Sequence, residues 1–187
     1  MSFTESLTQW VVLILLFLVV FVCIIMNYPT ATVKDICNDF GLQCETVYID
    51  RGRPNVFVHK DEPTFYVVGG IEKKLTKDQL NVILLHELGH IVLKHHERLT
   101  REVAITSTYH NKQLSNEQFC SLSRNFEYEA DIFATYVAKK YNMPTVLDET
   151  FEQLFGATEQ FNRESCTHPT FNQRIEYIRR FENYLEN

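Results

Sequence analysis

The chain is continuously apolar from Trp10 to Met26 and then breaks into short patterned segments. Such a run is at the short end of what crosses a hydrocarbon core, and Trp10 and Tyr28 bracket it as interfacial aromatics do. A cleaved secretory signal carries a basic leader and a small-residue cleavage site. The leader here holds only Glu5 as a charge, and no such site follows. The pattern predicts a short tail over 1–9, a single transmembrane anchor over 10–28 and one domain over 29–187. Beyond the anchor, Thr32 to Phe40 has helical spacing and is stopped by Gly41. Three strands are predicted at Cys44 to Asp50, Pro54 to His59 and Thr64 to Val68, forming a small antiparallel sheet that ends at Gly69-Gly70.

The remaining pattern is helical. Thr76-Lys77-Asp78-Gln79 is a capping box opening a helix expected to reach His95 or His96. Its residues 82–93 are apolar almost all round, which marks a buried helix. Residues 97–114 are polar and predict a connection across a cleft. Ser115-Asn116-Glu117-Gln118 opens a second capped helix, ended by Lys139, Lys140, Asn142 and Pro144. Asp148 to Phe161 predicts an amphipathic helix. A last one carries Ile175, Ile178, Phe181 and Leu185 on one face. The fold class is α+β: a transmembrane helix, then a mainly helical domain with a small sheet.

Bulk properties narrow the function. With 187 residues and a net charge of −6, the chain suits one domain with a real core and argues against a nucleic-acid surface. The five cysteines contain no C-x-x-C pair, so a thiolate metal site is not expected. Free thiols in a reducing compartment are the expectation, with a Cys37–Cys44 bridge as the alternative. Only Lys34 follows the anchor within reach of its end, which points the domain weakly to the cytosol and a single-pass membrane location.

The chemistry lies in His86-Glu87-Leu88-Gly89-His90. On a helix His86 and His90 share a face and can direct two imidazoles at one metal ion, most suitably one Zn2+ per chain. Burying them among Leu, Val and Ile is costly unless something satisfies them. Glu87, beside the first ligand, can take a proton from water as general base. A third ligand is needed to close the site and leave one position open. Glu127 is the candidate, and Asp131, one turn on, is placed to accept the free ring N–H of a ligating histidine. His95 and His96 are read as solvated residues at a helix end. His168 precedes Pro169 and is held extended.

Three blocks in order resemble the gluzincin family of HtpX heat-shock proteases and CAAX prenyl proteases. These are Pro54 to Gly70 leading through Leu75 to Leu80 into the zinc helix, Ser123 to Asp131, and Thr167-His168-Pro169 with Arg174 six residues after the histidine. The resemblance spans 50–180. It implies a zincin-like domain in which Glu127 is the third ligand, Asp131 supports it, and His168 and Arg174 line the active site and help hold the oxyanion. It also implies a zinc endopeptidase acting on peptide or protein substrates; with the apolar run at 10–26 as its anchor and bilayer contact, and the acidic balance against nucleic acid, the expectation is a membrane-anchored zinc endopeptidase. Members of that family commonly have several membrane spans, where one is visible here. His86 to His90 with Glu127 to Ala134 also resembles, more weakly, the ImmA/IrrE peptidases that act on repressors. A third reading is a membrane-tethered zinc-binding regulator without turnover; the intact Glu87 argues against it.

Overall fold

A computed structural model of the chain describes Ile14 and residues 31–60, 62–110, 113–155 and 164–185. The chain divides into two compact units, Met1–Thr30 and Ala31–Asn187, and the second contains the sheet and every residue of the predicted metal site. Apart from Ile14, the expected anchor at 10–26 lies outside the described residues. Among the described residues no helix is long and apolar enough to cross a membrane.

The element order is α1 (Val33–Asp39), β1 (Glu45–Ile49), β2 (Asn55–Val58), β3 (Thr64–Val68), a 3-10 turn (Ile71–Lys73), α2 (Lys77–Val92), α3 (His95–His110), α4 (Asn116–Lys140), α5 (Leu147–Phe155) and α6 (Phe171–Leu185). This is the expected mainly helical α+β arrangement. α2 and α4 both start at capping boxes. Thr76 and Ser115 accept from the backbone N–H of Gln79 and Gln118, and each glutamine reaches back to the cap N–H. The core joins Ile36 of α1, Phe65 and Val67 of β3, Leu85 and Leu88 of α2, Val137 of α4, Leu147 and Phe151 of α5 and Ile178 of α6. Leu85 and Leu88 are fully buried, each a gain of about 1.5–3 kcal/mol from apolar transfer.

Four expectations change. The sheet is mixed, not antiparallel: its order is β1-β3-β2, with β1 parallel to β3 and β2 antiparallel to it. To reach its place, the chain between β1 and β2 crosses the end of β3 at Gly69. A Cβ there would lie 2.6 Å from the Pro54 nitrogen, and Gly69 has φ +68°, so glycine is required twice over. The polar stretch after α2 is not a loose connection but α3, beginning after Lys94 turns left-handed at φ +54°. α2 therefore stops at Val92. The helix expected from Asp148 is present as α5 over Leu147–Phe155, and the rest of its expected span, to Phe161, lies outside the described residues.

The fourth correction concerns the cysteines. Cys37 is bonded to Cys44 and Cys120 to Cys166. The first bond ties α1 to the start of β1. The second ties α4 to the segment before α6. Spacing along the chain could not reveal the second pair, because its partners are 46 residues apart and meet only when α4 and α6 pack together. With these four thiols paired, cysteine usage no longer favours a reducing compartment.

Candidate metal centre

α2 and α4 cross closely at Gly89 and Ala130. A Cβ on Gly89 would sit 3.1 Å from the Ala130 Cα. His86 and His90 lie on either side of Gly89 along α2. Glu127 and Asp131 lie on either side of Ala130 along α4. The crossing thus brings two imidazoles and two carboxylates together. His86 Nε2 and His90 Nε2 are 3.1 Å apart, and the Glu127 oxygens lie 3.6 Å from the first and 3.5 Å from the second. These three side chains form a group able to hold a metal ion.

The hydrogen bonds behind the group orient it. His86 Nδ1–H donates to Asp131 Oδ1 at 2.9 Å, which leaves Nε2 as the lone-pair atom facing inward. Asp131 is itself fully buried and gripped by Arg174. Nε donates to Oδ2 at 2.8 Å, and Nη2 to Oδ1 at 2.6 Å. The third guanidinium nitrogen lies 3.3 Å from Glu127 Oε2, and the guanidinium carbon sits 4.2 Å over the Phe151 ring. Arg174 is therefore engaged by the two acids. His168, largely exposed, has Nε2 3.8 Å from Glu127 Oε1 and its Nδ1 2.8 Å from Thr167 Oγ1. Glu87 accepts from the Val58 N–H of β2 at 3.2 Å. All seven residues singled out in the sequence thus lie around one point. A cleft of about 130 Å³ opens onto it, walled by Asn55 and Val56 of β2 and by Leu147 and Phe151 of α5.

The electrostatics fit a cation. Burial opposes charge on His86, but its contacts with Asp131 and Glu127 outweigh this and push its pKa up to about 10. Burial and the neighbouring His86 charge push His90 down to about 3. Burial also works against charge on Glu127, yet His86 and Arg174 hold it well below the usual carboxylate range. Glu87 goes the other way: burial, helped by Glu127, raises it to about 7. Two imidazole lone pairs at 3.1 Å repel unless a positive charge sits between them. That charge is either a proton on His86, which its raised pKa favours, or a metal ion that displaces the proton and leaves both rings neutral. Two neutral imidazoles and an ionised carboxylate are also the donor set of a three-ligand zinc site with an open position.

One expectation fails here. His95 is not solvated; it is 4% exposed and lies against His90. Its partner Glu129 on α4, and Arg98 on α3, which holds Glu129, were equally illegible, since they meet only across a tertiary contact.

Comparison with known proteins agrees with the site. Residues 29–115 match Peptidase family M48, a little under half of the chain. The matched stretch contains the sheet and His86, Glu87 and His90, and ends before Glu127. The match supports a metallopeptidase of that family, a hydrolase of peptide or protein substrates that uses a metal. No curated protein matches the chain.

Proposed function

We propose that the chain is a zinc endopeptidase with His86, His90 and Glu127 as metal ligands. The observation that carries this reading is the convergence of those three donors beside a partly buried Glu87 at the mouth of a cleft. Zinc bound there would supply a Lewis acid that polarises a peptide carbonyl and lowers the pKa of water toward neutrality. Glu87, with its pKa raised to about 7, is suited to accept the proton of the attacking water and return it to the departing amine. Asp131 holds His86 in the tautomer that leaves Nε2 free. Arg174 balances the charge of Asp131 and Glu127 and keeps both ionised. His168, exposed on the cleft and free of such commitments at Nε2 beyond its 3.8 Å approach to Glu127, is the better candidate to meet the developing oxyanion.

β2 supports a mode of substrate binding. It is an edge strand of the sheet, and it runs beside Glu87. An extended peptide adding to this edge would lie across the metal point with its backbone satisfied by ladder hydrogen bonds. The apolar run at 10–26 supports a single-pass membrane anchor on its composition alone.

The test is zinc content and cleavage of an unfolded protein such as casein by the full-length chain and its Glu87→Gln variant. One zinc per chain in both, with chelator-sensitive cleavage lost in the variant, is the expected result. Cleavage retained by Glu87→Gln would refute the assigned base. Zinc without cleavage in either protein would favour the regulator without turnover.

A further inference from the structure

His90 lacks what His86 has. Behind His86 stands a carboxylate, Asp131. Behind His90 stands another imidazole. After α2 ends, Lys94 turns the chain back on itself and delivers His95 into the interior, where its ring lies flat on Phe126 (centroids 4.5 Å apart, planes at 11°) and edge-on to His90. His95 Nδ1 is 2.8 Å from His90 Nδ1, and His95 Nε2 is 3.2 Å from Glu129 Oε2. Arg98, one turn further along α3, donates to both oxygens of Glu129 and covers the Phe126 ring at 4.7 Å.

The protons along this chain are dictated by its far end. A carboxylate held by a guanidinium only accepts, so His95 Nε2 carries hydrogen. In a neutral ring its Nδ1 is then a lone pair. Two nitrogens 2.8 Å apart need one donor and one acceptor, so His90 Nδ1 carries the hydrogen between them. That leaves His90 Nε2 bare, turned toward His86 Nε2 and Glu127. An arginine on α3 and a glutamate on α4 thus decide the tautomer of a histidine on α2.

We propose that His95 is a positioning residue for the metal site: backed by Glu129 and Arg98, it holds His90 in the tautomer and orientation that presents Nε2 to the ion. The inference rests on the metal-site reading above and deepens it. It also assigns α3 a role, since this helix presents both His95 and Arg98. A bland alternative is that His95 merely fills the space between α2 and Phe126. The two differ in what they move: a filler affects folding, a positioning residue affects metal affinity and ligand geometry.

The experiment measures the zinc dissociation constant of the full-length chain by competition with a chromophoric chelator, the absorption spectrum of the cobalt-loaded protein, and thermal unfolding of the metal-free protein. The variants are His95→Phe, His95→Gln and Glu129→Ala. Phenylalanine keeps the ring on Phe126 and removes the acceptor, so zinc should bind about 10–100-fold more weakly, with an altered cobalt spectrum. Glutamine can accept from His90 through its oxygen and donate to Glu129 through its amide, so it should restore affinity to within about threefold of the parent. Glu129→Ala, at a partly exposed position, should weaken zinc less than His95→Phe does. Parental affinity and spectrum in His95→Phe, or glutamine no better than phenylalanine, would overturn the proposal. Should His95→Phe fail to fold, parental zinc affinity in Glu129→Ala would overturn it instead. A parent chain that binds no zinc would remove the metal reading itself, a result visible before any variant is compared.

Discussion

Gly89 and Ala130 are in backbone contact: a Cβ built on Gly89 would lie 3.1 Å from the Ala130 Cα and 3.2 Å from Cδ1 of Phe133. This contact sets the separation of α2 and α4, and with it the distance from the imidazoles to Glu127. Gly89→Ala should push the helices apart by a few tenths of an ångström. Its helix-propensity gain of about 1 kcal/mol would offset much of the strain. Stability should then change little while zinc affinity falls, and Gly89→Val should lose both. Thermal unfolding beside zinc titration reads the two separately. Parental zinc affinity in Gly89→Val would mean that this crossing does not set the site.

Arg174 carries the charge balance of the interior. Asp131 is fully buried, and its two oxygens take hydrogen bonds from Arg174 and His86. Arg174→Met keeps much of the packing over Phe151 and leaves a buried carboxylate short of its partner. The expected cost is about 3–5 kcal/mol in urea unfolding of the metal-free chain. Asp131→Asn with Arg174→Met together should cost less than the sum of the two single changes, because neither charge is then stranded.

Glu87 makes the metal-free chain pH-sensitive in a defined direction. Its folded pKa of about 7 lies above the ordinary 4.5, because burial disfavours the charged form. The stability it contributes is whole below about pH 4.5 and is lost as pH rises through about 7. Glu87→Gln cannot ionise. The metal-free variant should match the parent near pH 4.5 and exceed its stability by about 1–3 kcal/mol above pH 7. Unfolding of both proteins across pH 4–9 checks it; a constant difference would refute the buried-carboxylate account.

The cysteines give a chemical prediction. Denatured without reductant, the chain should expose one alkylatable thiol of its five, and all five after reduction. Opening Cys120–Cys166, whose partners are 46 apart, should cost about 4 kcal/mol from loop closure, and opening Cys37–Cys44, 7 apart, about 2 kcal/mol. Mass spectrometry after alkylation tests the pairing, and single Cys→Ser variants test the ranking. Five reactive thiols in freshly isolated protein would restore the reducing-compartment reading.

How much was legible varied with the range of the interaction. Helix starts were local and came out at Thr76 and Ser115, since a capping box needs only four consecutive residues. The strands were visible as short alternating runs, but not the parallel pairing of β1 with β3, because alternation says nothing about which neighbour a strand chooses. α3 was missed because His95 and Arg98, rather than an apolar stripe, make its contact with Phe126 of α4.

By itself, the sequence determined which residues can share a helix face: His86 with His90, and Glu127 with Asp131. Helical periodicity is a property of neighbours along the chain. What only the tertiary structure decided was how those faces meet. The Gly89–Ala130 crossing, the grip of Arg174 on Asp131, the Cys120–Cys166 bond and the line from His90 through His95 and Glu129 to Arg98 each join residues from different elements. Each depends on close packing between elements, and where that packing covers polar groups from water every buried donor must find its acceptor across the gap. No single segment contains that requirement, and it is met only when the helices are in place.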